Sequence, residues 1–278
     1  MITPTTALPG SLDSKSGATQ SQLRQLLDLL VEERPDPLRR YDQIHMNLDD
    51  LAGHMLRIAP AMANRDVFVM GDSDGLVVGF SCAAKLGLIP SPRRILFCDF
   101  DRRVVRYVRS TARRWRADSL LATFVYNVFD PLPDAAIRSS DFFHTNPPYG
   151  QFNEGRSVIA FLERCVGALR PQGSGVVITA NDTAYPWTLG VLESILRTVP
   201  SLGLSPRRIE DRCHRYSLDD QPDLRSGVIW CDAPRPTPNY LYLGLPTEFV
   251  DSFYGRHTIP IPRYISLDGE PEQLLLDV

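Results

Sequence analysis

From Asp66 onward, short β-rich runs alternate with helical stretches, which restricts the fold to a largely parallel sheet with helices on both faces. The runs cover residues 67–70, 95–98, 122–126, 142–145 and 175–179. Helical spacing of apolar residues fills the gaps over 76–86, 101–116, 157–169 and 187–198. Past Leu204 the pattern becomes strand-rich, and residues 227–231 and 240–243 are expected to close the same sheet as antiparallel strands. A proline-rich extension follows.

Ahead of this region lies a short helical N-terminal part. Leu23, Leu26, Leu27 and Leu30 recur at i, i+3, i+4 and i+7, predicting an amphipathic helix over 21–33 that Pro35 and Pro37 end. A second helix is predicted over 48–62, with Asn47 as its N-cap and Asp49 and Asp50 in its electropositive first turn. Leu51, Met55, Ile58 and Met62 would face inward. The expected organisation is therefore a flexible tail (1–18), a helical region (19–64), a Rossmann-like catalytic domain (65–245) and a C-terminal extension (246–278).

Composition excludes several classes. A net charge of −3 gives little attraction to phosphate backbones, so no nucleic-acid partner is expected. The arginines at 102, 106, 109, 113 and 116 fall on one face of a helix and read as a solvated stripe. No run reaches the roughly 18 apolar residues of a membrane helix, and no secretory leader is visible, so a soluble cytoplasmic protein is expected. The five cysteines form no Cys-x-x-Cys pair and the five histidines no His-x-x-x-His pair, so no metal is expected.

Chemistry gathers at strand ends, where open α/β sheets bind their ligands. The first turn, Gly71-Asp72-Ser73-Asp74, combines a glycine that permits close backbone approach with acids that receive cationic or hydroxylic groups. It lacks the full Gly-x-Gly-x-x-Gly spacing of a dinucleotide site, and an Asx turn capping the next helix is the structural alternative. After the second strand, Asp99 is placed to accept both hydroxyls of a ribose, whereas Asp101 is a candidate for the same task or for capping the next helix. After the third strand, Asn127 or Asp130 is in position to reach an adenine, with a plain proline turn as the alternative.

The fourth turn is Asn146-Pro147-Pro148-Tyr149. Its prolines cannot donate backbone hydrogen bonds and hold the chain extended, leaving their carbonyls and the Asn146 side-chain oxygen as acceptors. Acceptors aimed at an N–H orient the nitrogen lone pair toward an electrophilic carbon, and Tyr149 can enclose the substrate. The turn therefore reads as an amine-positioning element.

The strand-end turns resemble the class I S-adenosylmethionine-dependent methyltransferase fold, and the fourth turn resembles that of amino-methyltransferases. More of the chain resembles the branched-chain polyamine synthases, or N4-bis(aminopropyl)spermidine synthases, of the bacterial branch. The matching stretches begin with Tyr41-Asp42-Gln43-Ile44-His45-Met46, Gly71-Asp72-Ser73-Asp74 and Cys98-Asp99-Phe100-Asp101. Thr145-Asn146-Pro147-Pro148-Tyr149-Gly150, Asn153-Glu154-Gly155-Arg156-Ser157 and His214-Arg215-Tyr216-Ser217-Leu218-Asp219-Asp220 complete them.

The resemblance implies aminopropyl transfer from decarboxylated S-adenosylmethionine to a polyamine nitrogen; the alternative is N-methylation with S-adenosylmethionine of a small-molecule amine or, ranked below it, of a nucleobase. Gly71 would then lie beneath the donor, with Asp72, Asp99, Asp101, Asn127, Asp130 and Pro147 also at the donor side. Asp74, then Asp72, are the candidate proton acceptors beside Asn146 and Tyr149 in the catalytic group. Pro148, Glu154, His214, Asp219 and Asp220 are candidates for holding the polyamine, and a homodimer is the candidate assembly. Asn146 stands where the archaeal form has Asp, and Ser73 replaces an acid, so both positions remove negative charge.

Overall fold

The computed structural model describes residues 12–216, 218, 221–235, 238, 252–256, 263–267 and 270–274. Seven strands form the main sheet: β1 (Asp66–Met70), β2 (Arg94–Asp99), β3 (Leu121–Val125), β4 (Ser140–Thr145), β5 (Leu169–Ala180), β6 (Ser205–Arg215) and β7 (Arg225–Asp232). Their order is β3-β2-β1-β4-β5-β7-β6. The first five run parallel, while β7 is antiparallel to both β5 and β6. A separate two-stranded sheet pairs β8 (Arg263–Leu267) with β9 (Glu270–Leu274).

Six helices accompany the sheet: α1 (Leu12–Leu30), α2 (Leu48–Met62), α3 (Leu76–Lys85), α4 (Arg102–Arg114), α5 (Arg156–Ala168) and α6 (Pro186–Thr198). Side chains of successive strand residues point to opposite faces, and β1 shows the result. Val67 and Val69 join one core with residues of α1 to α4, while Phe68 and Met70 join the other with residues of α5 and α6. Every residue of β1 is buried, as a central strand covered on both faces requires.

The α/β expectation holds, as do the four helices between parallel strands. Asn47 caps α2 through the Asp49 amide, and Leu51, Met55, Ile58 and Met62 are buried as expected. Two elements differ. Helix α1 starts at Leu12, within the stretch expected to be a tail, because leucine periodicity marks only its packed portion. Strand β6 escapes the pattern altogether: it is an edge strand, exposed along most of its length and carrying Pro206, so it shows no apolar alternation. The expected strand over 240–243 lies outside the described residues.

Strand order reverses between β1 and β4, making the carboxyl ends of these neighbours the topological switch point. Met70 pairs with Thr145 at that edge, so Gly71 and Asn146 leave the sheet side by side.

Candidate active site

A cavity of about 450 Å³ opens over the switch point, within the range of small-molecule sites. Turns after the first four strands line it through Gly71, Asp72, Asp99, Val128 and Asn146 among others, with Tyr41 to Ile44 arching over from the segment before α2. Gly71 has a left-handed φ of 73°, and a Cβ there would sit 3.2 Å from the Phe161 ring. Both facts favour glycine at the cavity floor.

The acids divide by environment. Asp99 lines the cavity with its carboxylate braced from behind: Oδ1 accepts from the Asp101 amide at 2.8 Å and Oδ2 from the Asp72 amide at 3.1 Å. Each oxygen keeps lone-pair capacity toward the cavity. Burial is the main cause that pushes its pKa up to about 7, against the lowering effect of the two amides.

Asp72 also borders the cavity, yet its side chain is consumed locally. Oδ1 accepts from the Gly75 and Leu76 amides at 3.0 Å each, and Oδ2 from Val77 at 2.7 Å. It caps α3, and the expected role as proton acceptor is corrected to the Asx-turn alternative. Asp74, unlike Asp72, does not line the cavity. Its Oδ1 accepts from the Met46 amide at 2.6 Å and its Oδ2 from Asn146 Nδ2 at 2.9 Å, while Arg34 donates to its backbone oxygen at 2.7 Å. Burial first, then the Asp72 charge, lift its pKa to about 6. Asp74 therefore acts on Asn146, and through it on whatever Asn146 meets.

Asn146 profits from that bond. With Nδ2 committed to Asp74, the carbonyl oxygen of the amide is the atom left for the cavity, beside Pro147, Pro148 and Tyr149.

Other candidate positions fall elsewhere. Asp101 caps α4 through the Arg103 amide, pairs with the Arg103 guanidinium at 2.8 Å and accepts from Gln43, so it faces away from the cavity. Asn127 is turned inward, its side-chain oxygen accepting from the Phe129 amide at 3.0 Å, and neither it nor Asp130 lines the cavity. Tyr126 and Val128 do instead, since alternate residues of this turn point the other way. Glu154 is exposed just before α5. His214 is buried against Ser226 and His54, which removes it from direct substrate contact. Asp219 and Asp220 lie outside the described residues.

Much of the wall consists of aromatic residues that sequence reasoning did not nominate: Tyr41, Tyr126, Phe161, Trp187, Tyr216 and Tyr254. Two belonged to motifs already singled out. In His214-Arg215-Tyr216, the histidine drew the attention while the tyrosine two residues on reaches the cavity. No group of three or more His, Cys, Asp or Glu side chains is arranged to hold a metal among the described residues. No described helix is long and apolar enough to cross a membrane.

Comparison with known proteins fits this geometry. The pattern of the branched-chain polyamine synthase A C-terminal domain matches residues 22–193. An N(4)-bis(aminopropyl)spermidine synthase of Thermococcus kodakarensis is 26% identical over 155 residues, which are 55% of this chain and 41% of that protein. The Thermus thermophilus enzyme of the same name is 30% identical over 149 residues, 51% of this chain and 39% of that one. The chain thus spans about two fifths of these relatives. A crystal structure of the Thermus thermophilus branched-chain polyamine synthase, in complex with N4-aminopropylspermidine and 5'-methylthioadenosine, superimposes with a TM-score of 0.69 at 19% identity, covering 86% of this chain and 70% of that one. The fold is class I methyltransferase-like.

Proposed function

The chain belongs to the branched-chain polyamine synthase family, and on that footing we propose that it moves an aminopropyl group from decarboxylated S-adenosylmethionine to a polyamine nitrogen. The carrying observation is that the matched span contains Gly71, Asp99 and Asn146 to Tyr149, all bordering one cavity. In the Thermus relative, the two bound molecules are a branched polyamine and 5'-methylthioadenosine, the pair such a transfer leaves behind.

In this reading Asp99 accepts the ribose hydroxyls, Gly71 lets the backbone approach the donor, and Phe161, Tyr126, Val128 and Pro147 form its apolar bed. Asn146 offers its carbonyl oxygen to an N–H of the acceptor, turning the nitrogen lone pair toward the carbon attached to sulfur. The new N–C bond forms as the C–S bond breaks, and its electron pair stays on sulfur. Attack requires a neutral amine, which neutral oxygen acceptors tolerate better than a cation-stabilising carboxylate would. Polyamine charges further along meet Asp42 and the aromatic faces of Tyr149, Trp187 and Phe152, where cation–π attraction takes over part of the work of the missing acids.

N-methylation from S-adenosylmethionine is the second reading, favoured by Asn146-Pro147-Pro148-Tyr149 itself. Incubation with spermidine and each donor in turn, followed by mass spectrometry, separates the two. Methylthioadenosine is the expected product; S-adenosylhomocysteine alone would sink the first reading. Asn146→Ala should lower turnover at least about a hundredfold while leaving donor affinity within a few-fold.

A further inference from the structure

Behind the cavity wall, three histidines from three different elements form a single buried hydrogen-bonded file. His54 of α2 sets its Nε2 3.0 Å from Nε2 of His144 in β4, and its Nδ1 3.1 Å from Nε2 of His214 in β6. The other nitrogen of His214 lies 2.8 Å from the Ser226 hydroxyl, which in turn is 3.0 Å from the Tyr216 phenol. Tyr216 borders the cavity and is within hydrogen-bonding reach of Asn146 and Tyr149. All three imidazoles are 1–2% exposed. At the far end, His144 Nδ1 has no partner among the described residues.

Burial holds these rings neutral, depressing His144 to about 3 and His214 to about 4. A neutral imidazole has one donor nitrogen and one acceptor nitrogen, so each ring hands its direction to the next. Two directions keep every bond of the file in one sense. In one, Tyr216 donates to Ser226, Ser226 to His214 Nδ1, His214 Nε2–H to His54 Nδ1, and His54 Nε2–H to His144. In the other, every bond is reversed and Tyr216 points its hydrogen at Asn146 or the cavity.

Only the first direction suits Asn146. Its amide has two N–H bonds: Asp74 takes one, and a Tyr216 oxygen acting as acceptor takes the other. The carbonyl oxygen then faces the cavity uncontested. In the reversed direction the Tyr216 proton competes for that oxygen.

We propose that His54, His144 and His214, with Ser226, are positioning residues whose locked tautomers make Tyr216 a hydrogen-bond acceptor and thereby hold the Asn146 carbonyl toward the acceptor amine. This role rests on the amine-transfer reading above. In the first direction the His144 proton sits on Nδ1, at the unpaired end of the file, so the gain at Asn146 has to outweigh one unsatisfied buried N–H.

Nitrogen-15 NMR of histidine-labelled protein reads the tautomers directly and needs no substrate. The expected result is Nε2–H at His54 and His214 and Nδ1–H at His144; Nδ1–H at His54 or His214 overturns the proposal. In parallel, Ser226→Ala cuts the file from Tyr216 with the removal of one buried hydroxyl. It should lower kcat about tenfold with donor affinity unchanged and the histidine tautomers free to interchange. An unaltered kcat in a folded Ser226→Ala protein also overturns it. If no amine is transferred by the unsubstituted protein, the functional reading fails, and the tautomer measurement still decides the direction of the file.

Discussion

In the role proposed for it, Asp99 would be prepared for a ligand at a cost in the ligand-free state. Its carboxyl is held up at about 7 because burial outweighs two backbone amides, and hydroxyl donors from a ribose would favour the ionised form. Affinity for 5'-methylthioadenosine should therefore rise as pH increases through about 7 and level off above it. Isothermal titration between pH 6 and 8.5 checks this. Asp99→Asn should weaken binding by about tenfold or more and abolish the pH dependence, since an amide does not titrate. Retained pH dependence in that variant would place the titrating group elsewhere.

At the scale of elements, the turn after β3 is fastened by Arg164 of α5. This arginine is fully buried, and its Nε donates to the Val128 carbonyl at 2.9 Å, behind the residue that lines the cavity. Arg164→Met keeps the length and apolar stem but leaves that carbonyl without its donor, so stability should fall by about 1–3 kcal/mol. Urea unfolding measures the loss. Parallel strands and their crossover helices were legible in the sequence because a strand buried on both faces and a helix packed on one each impose a period. Strand β6 and the first turns of α1 were not, since periodicity comes from packing and an exposed edge or an extended helix end has little of it. Of the strand-end turns, the glycine, Asp99 and the proline pair border the cavity where expected. Which acids cap helices and which face a ligand was open, because an Asx turn and a binding acid have the same letters. Asp72, Asp74 and Asp101 were resolved only by the amides around them. The aromatic wall comes from residues as far apart as Tyr41 and Tyr254, a distance that no local pattern spans.

The whole molecule separates its charges by the two ends of the sheet. At the amino ends of β1 and β4, Asp66 and Asp141 share Arg93 and Arg170 at 2.8–3.0 Å, which holds Asp66 down at about 2. At the carboxyl ends, Asp74 and Asp99 are buried and raised to about 6 and about 7. Raised acids contribute stability below their unfolded pKa and lose it as pH climbs through the folded values. The depressed histidines do the opposite: the folded protein binds fewer protons than the unfolded chain below about 6.5, so stability falls as pH drops toward 4. His54 faces His144, His214 and Arg57, and His214 also faces Asp50. The three histidines outnumber the two acids, so stability keeps rising until the unfolded-state imidazoles lose their protons, and the maximum for the ligand-free protein falls at about pH 7–7.5. Thermal melts from pH 4.5 to 8.5 should show a dome, and a melting temperature still rising at pH 8.5 would contradict the assignment.

The Met46 amide, held by Asp74, lies in a residue that also bridges to Tyr216, while Asp74 grips Asn146. This ring joins points 28 and 72 residues apart along the chain, and its last member comes after six of the sheet's seven strands have been passed. Closing such distant contacts is slow compared with winding a helix. The chain up to Ala180 holds all five parallel strands but not Tyr216, without which the ring is incomplete. The setting of the Asn146 turn thus depends on the end of β6, the last member of the ring along the chain.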